Sequence, residues 1–362
     1  MKSRPVLIMA GGTGGHVFPA LALARLLRAK SYEVIWLGTR RGLEARIVPA
    51  DNFPIEWLSV GGLRGKGALT LLAAPFRVAH ALYQALRVML RHRPLVVVGL
   101  GGFVTGPGGV AAWLTGRPLV IHEQNAIAGF TNRCLARIAR QVLVAFPGAF
   151  GSNVKTQVIG NPVRQDIASA PPPAERFASR SGPLRLLIIG GSLGAVKLNS
   201  TVPFAIAKLG QEFQFEIRHQ AGAKWAEPAQ KSYADAGVTG TVTPFIDDMA
   251  AAYQWADLVI CRAGALTISE LAAVGVGAVL VPYPAAVDDH QTHNARYLTN
   301  EGAAVLIPDR EITPDRLAAE LRKLCVSRES LLAMAERARR LAQPQSADEL
   351  AQACLVYAGS AA

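Results

Sequence analysis

The chain has 362 residues, 51% of them apolar, which suits two domains with buried cores and excludes a disordered chain. Its formal charge of +12 is confined: residues 1–160 carry 19 Lys and Arg against 5 Asp and Glu, whereas residues 161–362 carry 19 against 21. Such a field on one half attracts an anionic partner: a phosphorylated substrate, an anionic membrane face or nucleic acid.

The first predicted strand, residues 5–9, is too short for the apolar core of a signal peptide, and glycine follows it at once. The stretch "VLIMAGGTGGHVFPALALARLL" (6–27) reads as strand, glycine turn and helix. Further strands are expected at 33–37, 95–98, 118–121 and 141–145, with helices at 17–29 and 75–92. Residues 94–116 are uncharged and reach the length of a membrane span, but seven Gly and Pro residues crowd the middle. A strand, a glycine loop and a helix start are expected there instead. The Pro-rich segment 160–183 reads as an interdomain linker.

After it, "LRLLIIGGSLGAVKLNS" (184–200) repeats the opening pattern, with Ala195 where the first copy has His16. Strands follow at 213–218, 241–243, 257–261, 278–282 and 304–307, and helices at 266–274 and 315–324. Strand–helix alternation of this kind predicts parallel sheets covered on both faces. The four cysteines lack metal or redox spacing and are expected as reduced core residues.

A glycine turn between strand and helix lets backbone amides approach a ligand, and the helix N-terminus favours negative charge. Neither turn is a Walker loop, and neither second strand ends in the acid of a dinucleotide site ("WLGTRR", "IRHQAG"). A histidine in one copy only points to proton transfer at that turn; a helix-capping role is the alternative. In "CRAGALTISELAAVGVGAVLVPYP" (261–284), Gly264 frees the chain from a strand and a helix follows whose first amides suit a diphosphate. Glu270 suits ribose hydroxyls, or else completes a capping box with Thr267. Residues His290, Gln291 and Asn294 suit sugar hydroxyls, and no DxD triplet occurs. "GGSLG" also satisfies the serine-hydrolase pattern at Ser192, but Thr13 in the equivalent turn argues against that chemistry. A nucleic-acid-binding protein has only charge in its favour.

"GGTGGH" (11–16), "GLRGKG" (62–67), "GGFVTGPGG" (101–109), "HEQNAIAGFTN" (122–132), "GNPVR" (160–164), "GGSLGA" (190–195), "FIDDMAAAY" (245–253) and "CRAGALTISELAA" (261–273) closely resemble the MurG family of bacterial UDP-N-acetylglucosamine transferases. The resemblance runs in order through nearly the whole chain. It implies an α/β GT-B fold of two Rossmann-like doubly wound domains separated by a cleft. Residues 1–162 would face acceptor and membrane, 163–340 would bind UDP-GlcNAc, and 341–362 would form a helical segment returning to the first domain. The implied reaction is inverting transfer of GlcNAc from UDP-GlcNAc to the MurNAc 4-hydroxyl of undecaprenyl-diphosphoryl-MurNAc-pentapeptide, in peptidoglycan biosynthesis.

By position, the resemblance implies donor contacts from Thr13, Gly14, Gly15, Asn125, Arg164, Ser192 and Ile246. It adds Ala265, Leu266, Thr267, Ile268, Ser269, Glu270 and Gln291. His16 is the first candidate for the base and Glu123 the second, with His122 as an orienting partner. Arg64, Lys66 and the amides of Gly102, Gly106 and Gly108 would hold the lipid diphosphate. No resident cofactor or metal ligand is expected, a divalent cation being left as an assistant. On residues 75–92, Phe76, Ala79, Tyr83, Leu86 and Leu90 share one helical face beside Arg77, His80, Gln84, Arg87 and Arg91. With the leucines at 69–72, that edge would rest peripherally on an anionic membrane, at the cytoplasmic face of the bacterial inner membrane. No nucleic-acid partner is expected.

Overall fold

A computed structural model describes residues 4–61, 74–191 and 194–359, which form two compact units: residues 1–164 with 344–362, and residues 165–343. Arg64, Lys66, Ser192 and the leucines at 69–72 lie outside the described residues.

In the first unit the elements run β1 (Val6–Ala10), α1 (Gly14–Ala29), β2 (Val34–Gly38), α2 (Glu44–Ala50), β3 (Ile55–Trp57), α3 (Ala74–His92), β4 (Val96–Gly101), α4 (Thr105–Leu114), β5 (Leu119–Glu123), α5 (Phe130–Leu135), β6 (Gln141–Val144) and β7 (Gln157–Val158). The sheet is parallel throughout, in the order β3-β2-β1-β4-β5-β6-β7. Successive side chains of a strand point to opposite faces, and here both faces are apolar. Val6 and Ile8 of β1 join Leu23 and Leu27 of α1 on one side, while Leu7 and Met9 join Met89 of α3 and Ala111 of α4 on the other. Residues 94–116 accordingly divide into β4, a turn and α4. Among the described residues no helix is long and apolar enough to cross a membrane.

The second unit runs α6 (Gln165–Ala168), α7 (Pro173–Ala178), β8 (Leu184–Ile189), α8 (Val196–Leu209), β9 (Phe215–Gln220), α9 (Ala226–Asp235), β10 (Thr241–Thr243), α10 (Met249–Trp255), β11 (Leu258–Cys261), α11 (Ala265–Val274), β12 (Gly277–Leu280), α12 (His290–Thr299), β13 (Ala304–Leu306), α13 (Pro314–Leu324) and α14 (Arg328–Arg340). Its sheet is also parallel, in the order β10-β9-β8-β11-β12-β13. Helix α15 (Ser346–Gly359) belongs to the first unit, where Leu350 and Cys354 complete the α1 face of the core.

Two expectations are corrected. The Pro-rich segment is no loose linker beyond Arg164, because α6 and α7 belong to the second unit. Arg176 of α7 donates to the carbonyls of Gln254 and Val274, near the C-terminal ends of α10 and α11, and Arg180 pairs with buried Asp257. A guanidinium suits a helix C-terminus because the last carbonyls lack helical donors. Of the cysteines, Cys261, Cys325 and Cys354 are buried, but Cys134 on α5 is exposed.

Candidate functional site

In an open parallel sheet, ligands gather where strand order reverses, beyond the carboxyl ends of the strands. In the first unit that point lies between β1 and β4. The register slips there, Met9 pairing with Gly99 but Ala10 with Gly101, so β4 carries one extra residue. Gly102 has φ +86°, and a Cβ on it would stand 2.4 Å from the carbonyl oxygen of Gly11. Only glycine allows this approach of the two chain ends.

Thr13 is the N-cap of α1 and is exposed, with Gly14, Gly15 and His16 half-buried in the first turn. The His16 ring lies so close to the backbone of Gly101 that a Cβ there would meet Nδ1 at 2.5 Å. His16 Nδ1 is 3.0 Å from Gln124 Oε1, Gln124 Nε2 is 3.1 Å from His122 Nδ1, and His122 Nε2 is 2.9 Å from the Gly160 carbonyl. Burial pushes the pKa of His122 down to about 4, against the raising effects of Gly160 and Glu123. Neither Gln124 nor the contact across 108 residues could be read from the sequence.

The Glu123 carboxylate is buried and surrounded by donors. One oxygen accepts from the Asn125 amide and side chain at 3.0 and 3.2 Å, and the other from Gly129 N at 3.1 Å and Asn132 Nδ2 at 2.8 Å. This geometry is that of a brace for the loop 124–129, in which both oxygens of Glu123 are engaged. Gly108 is corrected. It is buried in α4 against Met9, a Cβ there would lie 2.2 Å from Met9 Sδ, and its amide already donates to Val104 O. Gly102 stays in the turn before α4 and Gly106 in the helix's first turn. Arg164, half-buried, is the last residue before α6.

A residue the sequence reading passed over lies under the first glycine turn. Glu44 is fully buried and accepts from Gly12 N at 2.9 Å, Thr39 N at 2.9 Å and Thr39 Oγ1 at 2.8 Å. In the second unit the equivalent brace is neutral: Gln220 accepts from Gly191 N and donates to Gly191 O, both at 3.0 Å.

The reversal point of the second unit lies between β8 and β11, from which α11 leaves. Its N-cap is Gly264, so Thr267 is the third helical residue and the capping-box alternative for Glu270 falls away. A helix supplies no internal acceptor for its first amides, here those of Leu266 and Thr267. Ile268 is corrected: its amide donates to Gly264 O at 2.9 Å and its side chain is wholly buried. Ser269 Oγ donates to Ala265 O at 3.1 Å. Glu270, one turn in, accepts from Tyr253 OH at 3.0 Å. Ile246 is half-buried in the loop between β10 and α10. Gln291 on α12 accepts from Tyr283 N at 2.9 Å. Asn294, expected at a sugar, is instead fully buried and donates to Ala263 O at 3.2 Å, tying α12 to the start of α11.

On α3, the buried side is Ala81, Ala85, Val88 and Met89. Phe76 (79%), Tyr83 (58%) and Leu90 (65%) are left exposed beside Arg77 and Arg87. Leu86, by contrast, leans on the core.

The model of the glycosyltransferase family 28 N-terminal domain matches residues 6–144 and that of the C-terminal domain residues 185–351. A relative from Alkalilimnicola ehrlichii is 57% identical over 97% of this chain and 98% of its own; another, from Marinobacter nauticus, is 54% identical over 97% of each. Both are named UDP-N-acetylglucosamine--N-acetylmuramyl-(pentapeptide) pyrophosphoryl-undecaprenol N-acetylglucosamine transferase. The crystal structure of Acinetobacter baumannii MurG aligns over 98% of this chain and 99% of its own, at 44% identity and a TM-score of 0.86. Os79 from O. sativa in complex with UDP aligns at 15% identity and a TM-score of 0.70, which speaks for the fold alone.

Proposed function

The chain belongs to glycosyltransferase family 28, and from that premise we propose that it transfers N-acetylglucosamine from UDP-GlcNAc to the MurNAc 4-hydroxyl of undecaprenyl-diphosphoryl-MurNAc-pentapeptide, in peptidoglycan synthesis. The observation that carries this reading is the 57% identity, over nearly the full length of both chains, to a transferase of that name.

Inverting transfer needs a base for the attacking hydroxyl and stabilisation of the departing diphosphate. His16 takes the first role: its imidazole stands at the reversal point of the first sheet, whereas the Glu123 oxygens are engaged in the loop brace. The 4-hydroxyl oxygen attacks the anomeric carbon as its proton passes to His16. The bond from that carbon to the β-phosphate oxygen breaks, and UDP leaves with the electron pair. The second unit holds the donor. First-turn amides of α11 with Ala265, Leu266 and Thr267 face the diphosphate, Glu270 the ribose, Ile246 the uracil through its backbone and Gln291 a GlcNAc hydroxyl. Thr13, Gly14, Gly15, Asn125, Arg164, Ser192 and Ser269 supply further donor contacts. Gly102, Gly106, Arg64 and Lys66 address the lipid diphosphate. Helix amides and basic side chains supply the positive field for the departing diphosphate, with a divalent cation at most an assistant.

The charge of the first half and the exposed Phe76, Tyr83 and Leu90 support peripheral attachment to an anionic membrane, at the cytoplasmic face of the inner membrane. The test of the whole reading is transfer from radiolabelled UDP-GlcNAc to a short-chain lipid acceptor. Wild-type chain is expected to transfer. His16→Ala is expected to slow turnover at least a hundredfold, and Glu270→Ala to raise the donor KM about tenfold. Two variants indistinguishable from wild type would sink the assignment.

A further inference from the structure

Gln124, buried in the first unit, lies between two histidines. We propose that Gly160, His122 and Gln124 form a hydrogen-bond chain of fixed polarity that holds neutral His16 with its hydrogen on Nδ1, leaving Nε2 to receive the acceptor's proton. His122 and Gln124 are thus positioning residues, an inference that rests on His16 being the base.

The polarity follows link by link. The Gly160 carbonyl only accepts, so His122 Nε2, 2.9 Å away, carries a hydrogen. Burial keeps His122 neutral at physiological pH, its pKa being pushed down to about 4. Its Nδ1 therefore accepts. The donor at 3.1 Å is the Gln124 amide nitrogen, which also reaches the His122 carbonyl at 3.2 Å. That orients the amide, with the oxygen towards His16 Nδ1 at 3.0 Å. An amide oxygen accepts, so His16 Nδ1 donates. A flipped amide would set its oxygen against the lone pair of His122 Nδ1, or require a charged imidazolium in a fully buried position.

The chemical consequence is direct. Histidine in water prefers its hydrogen on Nε2, which would block that nitrogen as a base. Here the Gln124 oxygen reverses the preference. As Nε2 takes the hydroxyl proton, the Nδ1–H bond becomes charge-assisted and strengthens. The interaction thus grows towards the transition state, where it accelerates the reaction. The chain is anchored from outside as well: Asn161 Nδ2 donates to Gln124 O at 3.1 Å, and Ser346 Oγ donates to Asn161 O at 2.8 Å.

The experiment uses the full chain labelled with ¹⁵N-histidine, with long-range ¹H–¹⁵N correlation at pH 7.5 and His16 assigned by its loss in His16→Ala. Wild type is expected to show His16 with hydrogen on Nδ1 and His122 with hydrogen on Nε2. Gln124→Met, equal in length but without an acceptor, is expected to move His16 towards the Nε2–H form. It should also lower kcat about tenfold and leave the donor KM within about twofold. A wild-type His16 hydrogen on Nε2 overturns the proposal, as does a Gln124→Met chain that keeps both tautomer and kcat. Should Gln124→Met not fold, the wild-type spectrum still decides. Failure of the underlying reading looks different: His16→Ala would turn over normally while the wild-type tautomers stood as drawn, and the chain would then have no part in catalysis.

Discussion

The carboxylate of Glu44 accepts the amide hydrogen of Gly12 at 2.9 Å, whereas Gln220 takes the corresponding amide of Gly191 at 3.0 Å. Two glycine turns of similar sequence are therefore braced by groups of different charge. A phosphate approaching the first meets a carboxylate beneath the loop, and one approaching the second meets a neutral amide. Glu44→Ala removes the acceptor of three part-buried hydrogen bonds and empties the fully buried space the side chain fills. It is expected to destabilise the first unit by about 3 kcal/mol, read as a fall in the urea midpoint, with Thr39→Val costing less.

Glu123 and His16 separate by measurement. Glu123→Gln keeps the shape of the brace but turns one acceptor into a donor that faces other donors. Its expected effect is on stability, about 1–3 kcal/mol, with kcat staying within about tenfold of wild type. A base would show the opposite pattern: kcat lost by more than a hundredfold with the midpoint unchanged.

Acid should weaken both units through histidines held neutral. His122 in the first and His219 in the second are each pushed down to about 4 by burial, while the unfolded chain takes up those protons near 6.5. The unfolded state then binds more protons between about pH 6.5 and 4, so stability falls with falling pH across that window and is flat above it. Each histidine contributes up to about 3 kcal/mol. Urea midpoints from pH 7.5 to 4.5 check the slope, and His219→Gln is expected to remove its share.

Membrane attachment should respond to both parts of the α3 surface. Flotation with anionic vesicles is expected to weaken as salt rises. Phe76→Ser and Leu90→Ser should each lower partition about tenfold even at low salt. Salt-independent binding would remove the electrostatic contribution from the account.

The sequence displayed the periodic parts of this molecule and hid the long-range ones. Both parallel sheets, the paired glycine turns and the start of α11 near 265 were legible because strand alternation and turn chemistry are local. Glu44 was passed over because its partners Gly12 and Thr39 meet it only once β1 and β2 are paired. Glu123, standing in a motif, read as chemistry, and only its four donors revealed the brace. Arg176 and Arg180 sat among prolines and serines that suggest solvent, yet both reach helix-end carbonyls some 75–100 residues away. The Thr267–Glu270 spacing fitted a capping box, but the N-cap of the helix is Gly264, three residues before Thr267.

Helix α15 lies against α1 and fills the core with Leu350, Ala351 and Cys354, although its residues are among the last in the chain. On the ribosome, therefore, the second unit has all its residues before the first can close. The amino-terminal sheet must wait with its α1 face only partly covered through the synthesis of nearly two hundred residues. During that interval the nascent protein exposes apolar surface of the kind that holding chaperones bind.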